Sequence, residues 1–464
     1  MNENAQDSSM TAKLSIMMFL QFFAWGAWFA TLGLAMGNGA LGDFTANAYA
    51  TAPIAAIFAP LFLGLIADRF FSSEKVFGVL MLIGGGIMCM IPIVGAQGAE
   101  SGNLFVWLIL AYMVCYMPTL GLGNTIAFTH IPSQDKFPVI RVWGTIGWIV
   151  AGLLIGITGW DGSFTIFWLG AICSLALGVY CFMLPNTPPP LRGKPMDIRN
   201  IFMLDAFKLL GDFNFLVFAV CSTLICIPLA FYYGSTSQFL GQTGFAAVGA
   251  TMTIGQMSEI IFMLLIPFFF RTLGIKVMIL IGMACWSIRY LLFAFGAPDQ
   301  TTWMLLLAVA LHGICYDFFF VTGFMYTDQK APKEIRGQAQ ALLVFLTQGV
   351  GMFIGYKIMG NDLFGWSATI GDYGKSVSNA KEFGDALTES QSGESLSFLE
   401  TFGSMFTRSL PEGLNQELLT STMAQWKDFW LSPAIMAAVI LVGFAIAFWD
   451  KAKDSKDDEA ANAE

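Results

Sequence analysis

Five ionisable residues lie inside strongly apolar stretches of this 464-residue chain. They are Arg141, Glu259, Arg289, His312 and Asp317. A charge in the hydrocarbon region of a bilayer is costly, so such a group usually faces a cavity, pairs with another charge or carries function. The chemistry of the protein is therefore to be sought at these five positions.

One candidate binding face lies on a single predicted helix. Arg141, Thr145 and Trp148 recur at i, i+4 and i+7, which puts a cation, a hydroxyl and a large aromatic ring on one side. Such a face could hold a polar ring compound. Two alternatives stay open: Arg141 could snorkel to the nearby inner interface, and Trp148 could pack against lipid or the core.

A second face carries an amide and a carboxyl group. Gln256 and Glu259 are spaced i, i+3, and their own apolar stretch holds no charge that would neutralise the carboxylate. A carboxyl group in this setting could take up and release protons as its surroundings alternate between wet and dry, which coupling to a proton gradient requires. The alternative is a structural carboxylate paired with an arginine elsewhere.

A third face combines His312 and Tyr316 at i, i+4. Asp317 points about 100° away from Tyr316 around the helix and should face a different neighbour. Arg289 is the expected partner, so we predict a structural ion pair between Arg289 and Asp317. A role for Asp317 in proton transfer stays open.

The composition indicates that the helices carrying these faces are embedded in a lipid bilayer. Hydrophobic residues make up 56% of the chain, charged residues only 12%, and the mean hydropathy is +0.66. Soluble proteins carry about 25% charged residues. These values exclude a soluble enzyme, a disordered chain and a nucleic-acid binder, and they favour an all-α membrane protein.

Twelve transmembrane helices in two six-helix halves are predicted, because each crossing needs about 20 mainly apolar residues. The predicted spans are 14–36, 49–67, 76–97, 103–129, 138–158, 164–185, 212–234, 246–270, 277–296, 302–326, 337–359 and 429–449.

Positive charges set the predicted orientation. No predicted short outer loop contains a Lys or Arg, so both termini are expected to be cytoplasmic, in an inner membrane. The predicted organisation is an N-terminus at 1–13, a first half at 14–185, a central cytoplasmic loop at 186–211, a second half at 212–449 and a charged tail at 450–464. The second half includes a long polar periplasmic loop at about 360–428, for which a lid, a decoration or an assembly surface stays open.

Signs of soluble-type catalysis are missing from the sequence. It has no phosphate-binding loop of the G-x-x-x-x-G-K-[ST] type, no Cys/His metal spacing and no Ser-His-Asp set. All eight Cys fall in predicted spans and are interpreted as packing residues. We therefore expect no enzyme, no cofactor and no metal, and an energy source in an ion or substrate gradient.

Several segments resemble a known family. The loop GLIADRFFSSEK resembles the loop motif of the major facilitator superfamily, with Gly64, Asp68 and Arg69 in place and Phe71 where that motif usually has Gly. The stretches FLQFFAWGAWFATLG, AYMVCYMPTLGLGNT, FPVIRVWGTIGWI, IGQMSEIIFMLLIPFFF and CYDFFFVTGFMYTDQ are similar to the nucleoside:proton symporter family of that superfamily. The resemblance covers spans one to eleven.

By matching position, this resemblance implies a nucleoside site. Its members are Arg141, Thr145, Trp148, Gln256, Glu259, His312 and Tyr316. Two departures appear: His312 replaces an aromatic ring, and Pro228 and Phe231 stand where the family has a Gln and an Asn that bond the ligand. Lost hydrogen-bond partners change substrate discrimination strongly.

The resulting hypothesis is a secondary active transporter that imports nucleosides by proton symport with alternating access. Glu259 and Asp317 are the proton candidates, and Gly64, Asp68 and Arg69 form a loop motif for conformational change. The expected partners are a nucleoside, protons and the lipid bilayer, with the chain acting as a monomer. The alternatives are a major facilitator permease for another polar metabolite, such as a nucleobase or sugar, and a membrane sensor that does not transport.

Overall fold

The chain is helical throughout the part that its structure describes. The computed structural model describes residues 3–63, 68–131, 137–189, 192, 199, 202–360, 377, 379–390 and 397–449, and it assigns no β-strand among them. The predicted tail at 450–464 lies outside the described residues, as do parts of the predicted N-terminus, central loop and periplasmic loop.

Ten of the described helices are long and apolar enough to cross a membrane, and a shorter apolar helix joins them. In chain order these segments are Ser8–Asn38, Gly42–Phe62, Ser73–Gly95, Ala99–His130, Phe137–Thr158, Ile166–Cys181, Phe213–Gln242, Val248–Gly296, Thr302–Lys330, Lys333–Met359 and Gln416–Ala447.

The segment Val248–Gly296 contains two crossings. Its 49 residues would extend about 73 Å as one straight helix, more than twice the thickness of a hydrocarbon core. The backbone leaves the helical region at Gly274, where φ is 70°, a value that glycine adopts readily. With this division the described helices make twelve crossings. We number them spans one to twelve, with spans eight and nine on either side of Gly274.

Span twelve begins earlier than the predicted residue 429. Asn415 caps the helix Gln416–Ala447 by accepting hydrogen bonds from the backbone N–H groups of Glu417 and Leu418. The first turns are too polar to meet a hydropathy criterion, yet Met423 and Trp426 on them are buried. Packing against the rest of the protein thus extends the helix beyond its apolar part.

Two short helices occupy the described part of the predicted periplasmic loop. They are Ala380–Ser390 and Phe398–Ser404. The first is tied to span seven, where the Gln242 amide donates to the carbonyl of Ala380 (2.6 Å), and the second leads to Met405, whose carbonyl accepts from the hydroxyl of Thr251 (3.2 Å). We call the end of the bundle that carries this segment the outer end, following the predicted orientation.

Glycines allow spans three and six to pack closely. A Cβ at Gly85 would lie 2.8 Å from Cγ of Leu175, and one at Gly178 would lie 2.8 Å from Cγ of Leu82. Small residues are the usual means by which membrane helices approach each other, because lipid offers no hydrophobic driving force for association. This contact packs two helices of the first half directly against each other.

Gly85→Ala should lower the thermal stability of the detergent-solubilised protein, because the added methyl group clashes with Leu175. Overpacking of this kind costs about 1–3 kcal/mol. Gly86→Ala is the matched control, since a Cβ at Gly86 meets no atom within 4 Å. The control should keep or slightly raise the unfolding midpoint, because alanine is the better helix former by about 0.5–1 kcal/mol. Equal midpoints for both variants would contradict the packing argument.

Candidate functional site

A cavity of about 220 Å³ lies between the two halves. The first half contributes side chains from spans one, two, four and five, and the second half from spans seven, eight, ten and eleven. All seven residues predicted to bind substrate line it: Arg141, Thr145, Trp148, Gln256, Glu259, His312 and Tyr316. The faces predicted separately on spans five, eight and ten therefore meet at one cavity.

The polar side of the cavity is formed by spans five and eight. Arg141 lines the cavity, and its guanidinium carbon lies 4.1 Å from the ring centre of Phe22. Within the described residues Arg141 and Glu259 form no ion pair, and the buried Oε1 of Gln256 has no hydrogen-bond partner. A cation, an amide and a carboxyl group thus keep bonding capacity for a ligand rich in hydroxyl or carbonyl groups.

An aromatic group forms another side. Trp148 meets Trp25 edge to face, with ring centres 5.5 Å apart. His312 is almost fully buried and stacks nearly parallel to Tyr232 at 5.5 Å, while Nδ1 of the imidazole has no partner among the described residues. The imidazole fills the place of an aromatic ring and adds a hydrogen-bonding atom to it.

The predicted ion pair between Arg289 and Asp317 does not form. Both residues are fully buried, but Nε of Arg289 donates to the carbonyl of Ala308 (2.9 Å), and its guanidinium carbon lies 3.5 Å from the ring centre of Tyr232. Both carboxylate oxygens of Asp317 lack partners within the described part of the chain.

The register of spans nine and ten explains why Arg289 and Asp317 do not pair. The spans are antiparallel, with Gly282 against Phe319 near one end and Gly296 against Leu305 near the other. Arg289 is therefore level with His312, more than a helical turn from Asp317. Its side chain extends toward Ala308, which is the direction away from Asp317.

The predicted loop motif is only partly described. Gly64 and the side chain of Asp68 lie outside the described residues, while Arg69 is half-buried in the short helix Asp68–Phe70. No group of three or more His, Cys, Asp or Glu residues in the described ranges could hold a metal ion.

Sequence reasoning missed several residues of the cavity wall. Tyr233 on span seven and Gln348 on span eleven line the cavity, together with apolar side chains of span two. Gln348 is the one amide in the apolar stretch 341–356 of span eleven, and uncharged polar residues in apolar stretches are the signal that would have found it. Span ten and span eleven also contain π-helical turns, at Asp317–Val321 and Phe345–Gly351, a feature that frequently marks functional sites.

The two halves are in contact at the outer end of the cavity. The Leu34 N–H donates to the Ser237 hydroxyl (3.2 Å), and the ring of Tyr49 stacks on that of Tyr356 at 5.5 Å. Nearby, Nζ of Lys357 donates to the Asn47 side chain (2.5 Å). Each contact joins one half to the other, so the structure represents a state that is closed at this end.

Asp161 adds a buried carboxylate to this closure. It lies in the loop between spans five and six and accepts a hydrogen bond from the backbone N–H of Gly249, at the start of span eight. The carboxylate thus caps a helix of the opposite half, an arrangement that the helix dipole favours. Burial is the larger effect and raises the pKa of Asp161 from 3.8 to about 6.

The comparisons with known proteins agree on one family. Residues 8–374 match the family model described as "Nucleoside H+ symporter". The transporter YegT of Escherichia coli (strain K12) is 45% identical over 364 residues, which cover 75% of this chain and 84% of YegT. The nucleoside permease NupG of the same organism is 31% identical over 374 residues, which cover 76% of this chain and 87% of NupG. A crystal structure of the nucleoside transporter NupG superposes with a TM-score of 0.73 at 26% identity, covering 95% of this chain and 100% of that chain.

Acid should favour closure of the outer end through Asp161. In the closed state its pKa is about 6, whereas opening would expose the carboxyl group to water and return the pKa toward 3.8. The closed state therefore binds the proton more tightly, and lowering the pH from 7.5 to 5 should shift the equilibrium toward it by about tenfold, as pKa values of about 6 and 3.8 require at pH 5. Distances between spin labels on the exposed outer residues Gln97 and Asp299, one on each half, would report the shift.

Asp161→Asn is the control for this pH effect. The amide oxygen can still accept from Gly249 but does not titrate, so the variant should be mostly closed at pH 7.5 and respond less to acid. An Asp161→Asn variant with the full pH response of the parent protein would contradict the assignment.

Proposed function

Because the chain belongs to the nucleoside H⁺ symporter family, we propose that it imports nucleosides together with protons by alternating access. It is a multi-pass protein of the inner membrane, with the major facilitator fold. The observation that carries the proposal is the cavity between the halves, which Arg141, Gln256 and Glu259 line and in whose wall Oε1 of Gln256 has no partner among the described residues. Cavities between repeated halves are the usual substrate sites of such transporters.

The proposed substrate contacts divide by chemistry. Arg141 and Gln256 hydrogen-bond the ligand, with the Thr145 hydroxyl beside Arg141 on the same face. Trp148 and Tyr316 pack against its flat or apolar parts, and His312 contributes both a ring face and a hydrogen-bonding nitrogen. One chain supplies the whole wall, so we expect a monomer to be sufficient for transport.

Two carboxyl groups are proposed to carry the proton. Glu259 faces the cavity, where it can exchange protons with water and contact the ligand. Asp317 is buried behind the wall without a partner among the described residues, a costly arrangement for a charged carboxylate and an acceptable one for a protonated one. The halves at 14–185 and 212–449 would move relative to each other during transport. Gly64, Asp68 and Arg69 would form the loop motif that takes part in this conformational change.

A permease for another polar metabolite is the second candidate. Pro228 and Phe231 take no part in the cavity wall: the Pro228 carbonyl accepts from the Tyr290 hydroxyl (2.7 Å), and Phe231 packs against Phe429 at 5.4 Å. Span seven therefore offers the ligand no side-chain amide at these two positions. A nucleobase or a sugar would need a different set of contacts from the remaining groups.

Glu259→Gln should abolish proton-driven accumulation of nucleoside, to less than about a tenth of the parent rate. The variant removes the titrating group from the cavity but keeps its shape and its hydrogen-bonding capacity. Asp317→Asn should also lose accumulation but keep counterflow of labelled substrate in proteoliposomes, since exchange needs no net proton movement. Glu100→Gln, at an exposed carboxylate of an outer loop, is the control and should transport normally.

The substrate class is tested by uptake in transporter-deficient cells. Labelled uridine and inosine should accumulate without an uncoupler and fail to accumulate with one, and unlabelled nucleosides should compete better than nucleobases or sugars. Uptake displaced by nucleobases or sugars alone would favour the second candidate. Ligand binding without any counterflow would instead identify a sensor.

A further inference from the structure

The amide of Gln348 faces the cavity from span eleven without a protein partner. The side chain is half-buried, lines the cavity and makes no hydrogen bond to any other residue in the described ranges. An amide that faces a cavity without a protein partner bonds to water there, or to a ligand that displaces the water. Its bonding capacity is therefore available to the substrate.

Apolar side chains surround this amide. Val344 and Met352 lie one turn to either side of Gln348 on the same face of span eleven, and Ala52, Pro53 and Ala56 of span two also line the cavity. We call this part of the wall the apolar sector. Gln348 places a polar amide within this apolar sector.

Close backbone packing fixes the rotation of span eleven at Gln348. It lies in the π-helical turn Phe345–Gly351. A Cβ on the next residue, Gly349, would lie 2.8 Å from Cγ1 of Ile57 on span two, and a Cβ on Gly351 would meet the carbonyl of Thr223 on span seven. Span eleven is thus held against both neighbours, which keeps the face that carries Gln348 toward the cavity.

The two sides of the cavity therefore differ in chemistry. Spans five and eight present Arg141, Gln256 and Glu259, which suit a ligand part rich in hydroxyl groups. Spans two and eleven present a mainly apolar surface with the Gln348 amide and, nearer the outer end, the Tyr356 ring, which suits a flat heterocycle whose edge carries hydrogen-bonding groups. A nucleoside has one part of each kind.

We propose that Gln348 hydrogen-bonds the edge of the nucleobase, with the base in the apolar sector and the sugar against spans five and eight. A carboxamide offers a donor and an acceptor side by side, which matches the adjacent N–H and C=O groups of uracil or hypoxanthine. Gln348 is then a specificity-determining residue of the transport reaction. The inference rests on the proposed function and names the part of the site that selects the base.

Methylated nucleosides test this contact. In the parent protein, unlabelled 3-methyluridine should inhibit uptake of labelled uridine with a half-inhibitory concentration at least about tenfold higher than that of unlabelled uridine. The reason is that its methyl group replaces the N–H that Gln348 would bond. Gln348→Met keeps the length of the side chain and removes the amide. In this variant the ratio of the two half-inhibitory concentrations should fall to near one, whereas the ratio for 2′-deoxyuridine, which reports the sugar side, should be unchanged. Inosine and 1-methylinosine repeat the test for a purine.

Thr347→Val is the matched control. Thr347 precedes Gln348 on the same turn, but its hydroxyl is buried and donates to the carbonyl of Leu343 (2.7 Å), so the variant should keep the methyl discrimination of the parent. Membrane levels of each variant are measured with a fluorescent fusion, and Gln348→Asn replaces Gln348→Met if the latter fails to fold.

The outcomes separate the two proposals. Transport of nucleosides with the same methyl discrimination in Gln348→Met, or with none in the parent, would overturn the role of Gln348 and leave the proposed function intact. Absence of uptake of any nucleoside by the parent would overturn the proposed function and this inference with it.

Discussion

A polar group inside a bilayer must find a partner, because lipid offers none. This constraint separates the buried polar residues of the protein into two sets. In the first set the protein supplies at least one partner. Gln21 donates to Thr119 (3.1 Å), and Nε of Arg289 donates to the Ala308 carbonyl. The Arg289 guanidinium lies over the ring of Tyr232, and its two terminal nitrogens have no hydrogen-bond partner among the described residues. In the second set, Oε1 of Gln256 and both carboxylate oxygens of Asp317 are buried without a hydrogen-bond partner among the described residues. The half-buried amide of Gln348, which faces the cavity, belongs with them.

The distribution of the second set follows the division of the fold. Two of its amides face the space between the halves, where water and a ligand can enter, whereas the Asp317 carboxyl group is enclosed within one half. Polar groups at the interface can find a hydrogen-bond partner in a ligand or water molecule that enters and leaves the cavity. An enclosed carboxyl group can be stabilised only by a proton or by rearrangement of the helices around it. Under the proposed function, Asp317 would therefore bind a proton only, whereas Glu259 at the interface could contact both the proton and the ligand.

Helical periodicity was enough to predict much of the cavity, because the relevant faces lie on individual helices. Arg141, Thr145 and Trp148 needed only the spacing of span five, and His312 and Tyr316 only that of span ten. Contacts between helices were beyond this reasoning. The pairing of Arg289 depends on the register of spans nine and ten, which periodicity does not specify. The closure at Asp161 depends on a loop and a helix start 88 residues apart in sequence.

Span eight connects the closure to the site. Gly249, which donates to Asp161, is the second residue of the helix, and Gln256 and Glu259 follow on it two to three turns later, about 10 and 15 Å along the axis. The helix is uninterrupted until Gly274, so it moves as one body over this length. Opening the outer end must separate Gly249 from Asp161, and the same displacement moves Gln256 and Glu259 relative to span five, on which Arg141 lies. The geometry of the polar side of the cavity is therefore coupled to the state of the outer closure, as alternating access requires.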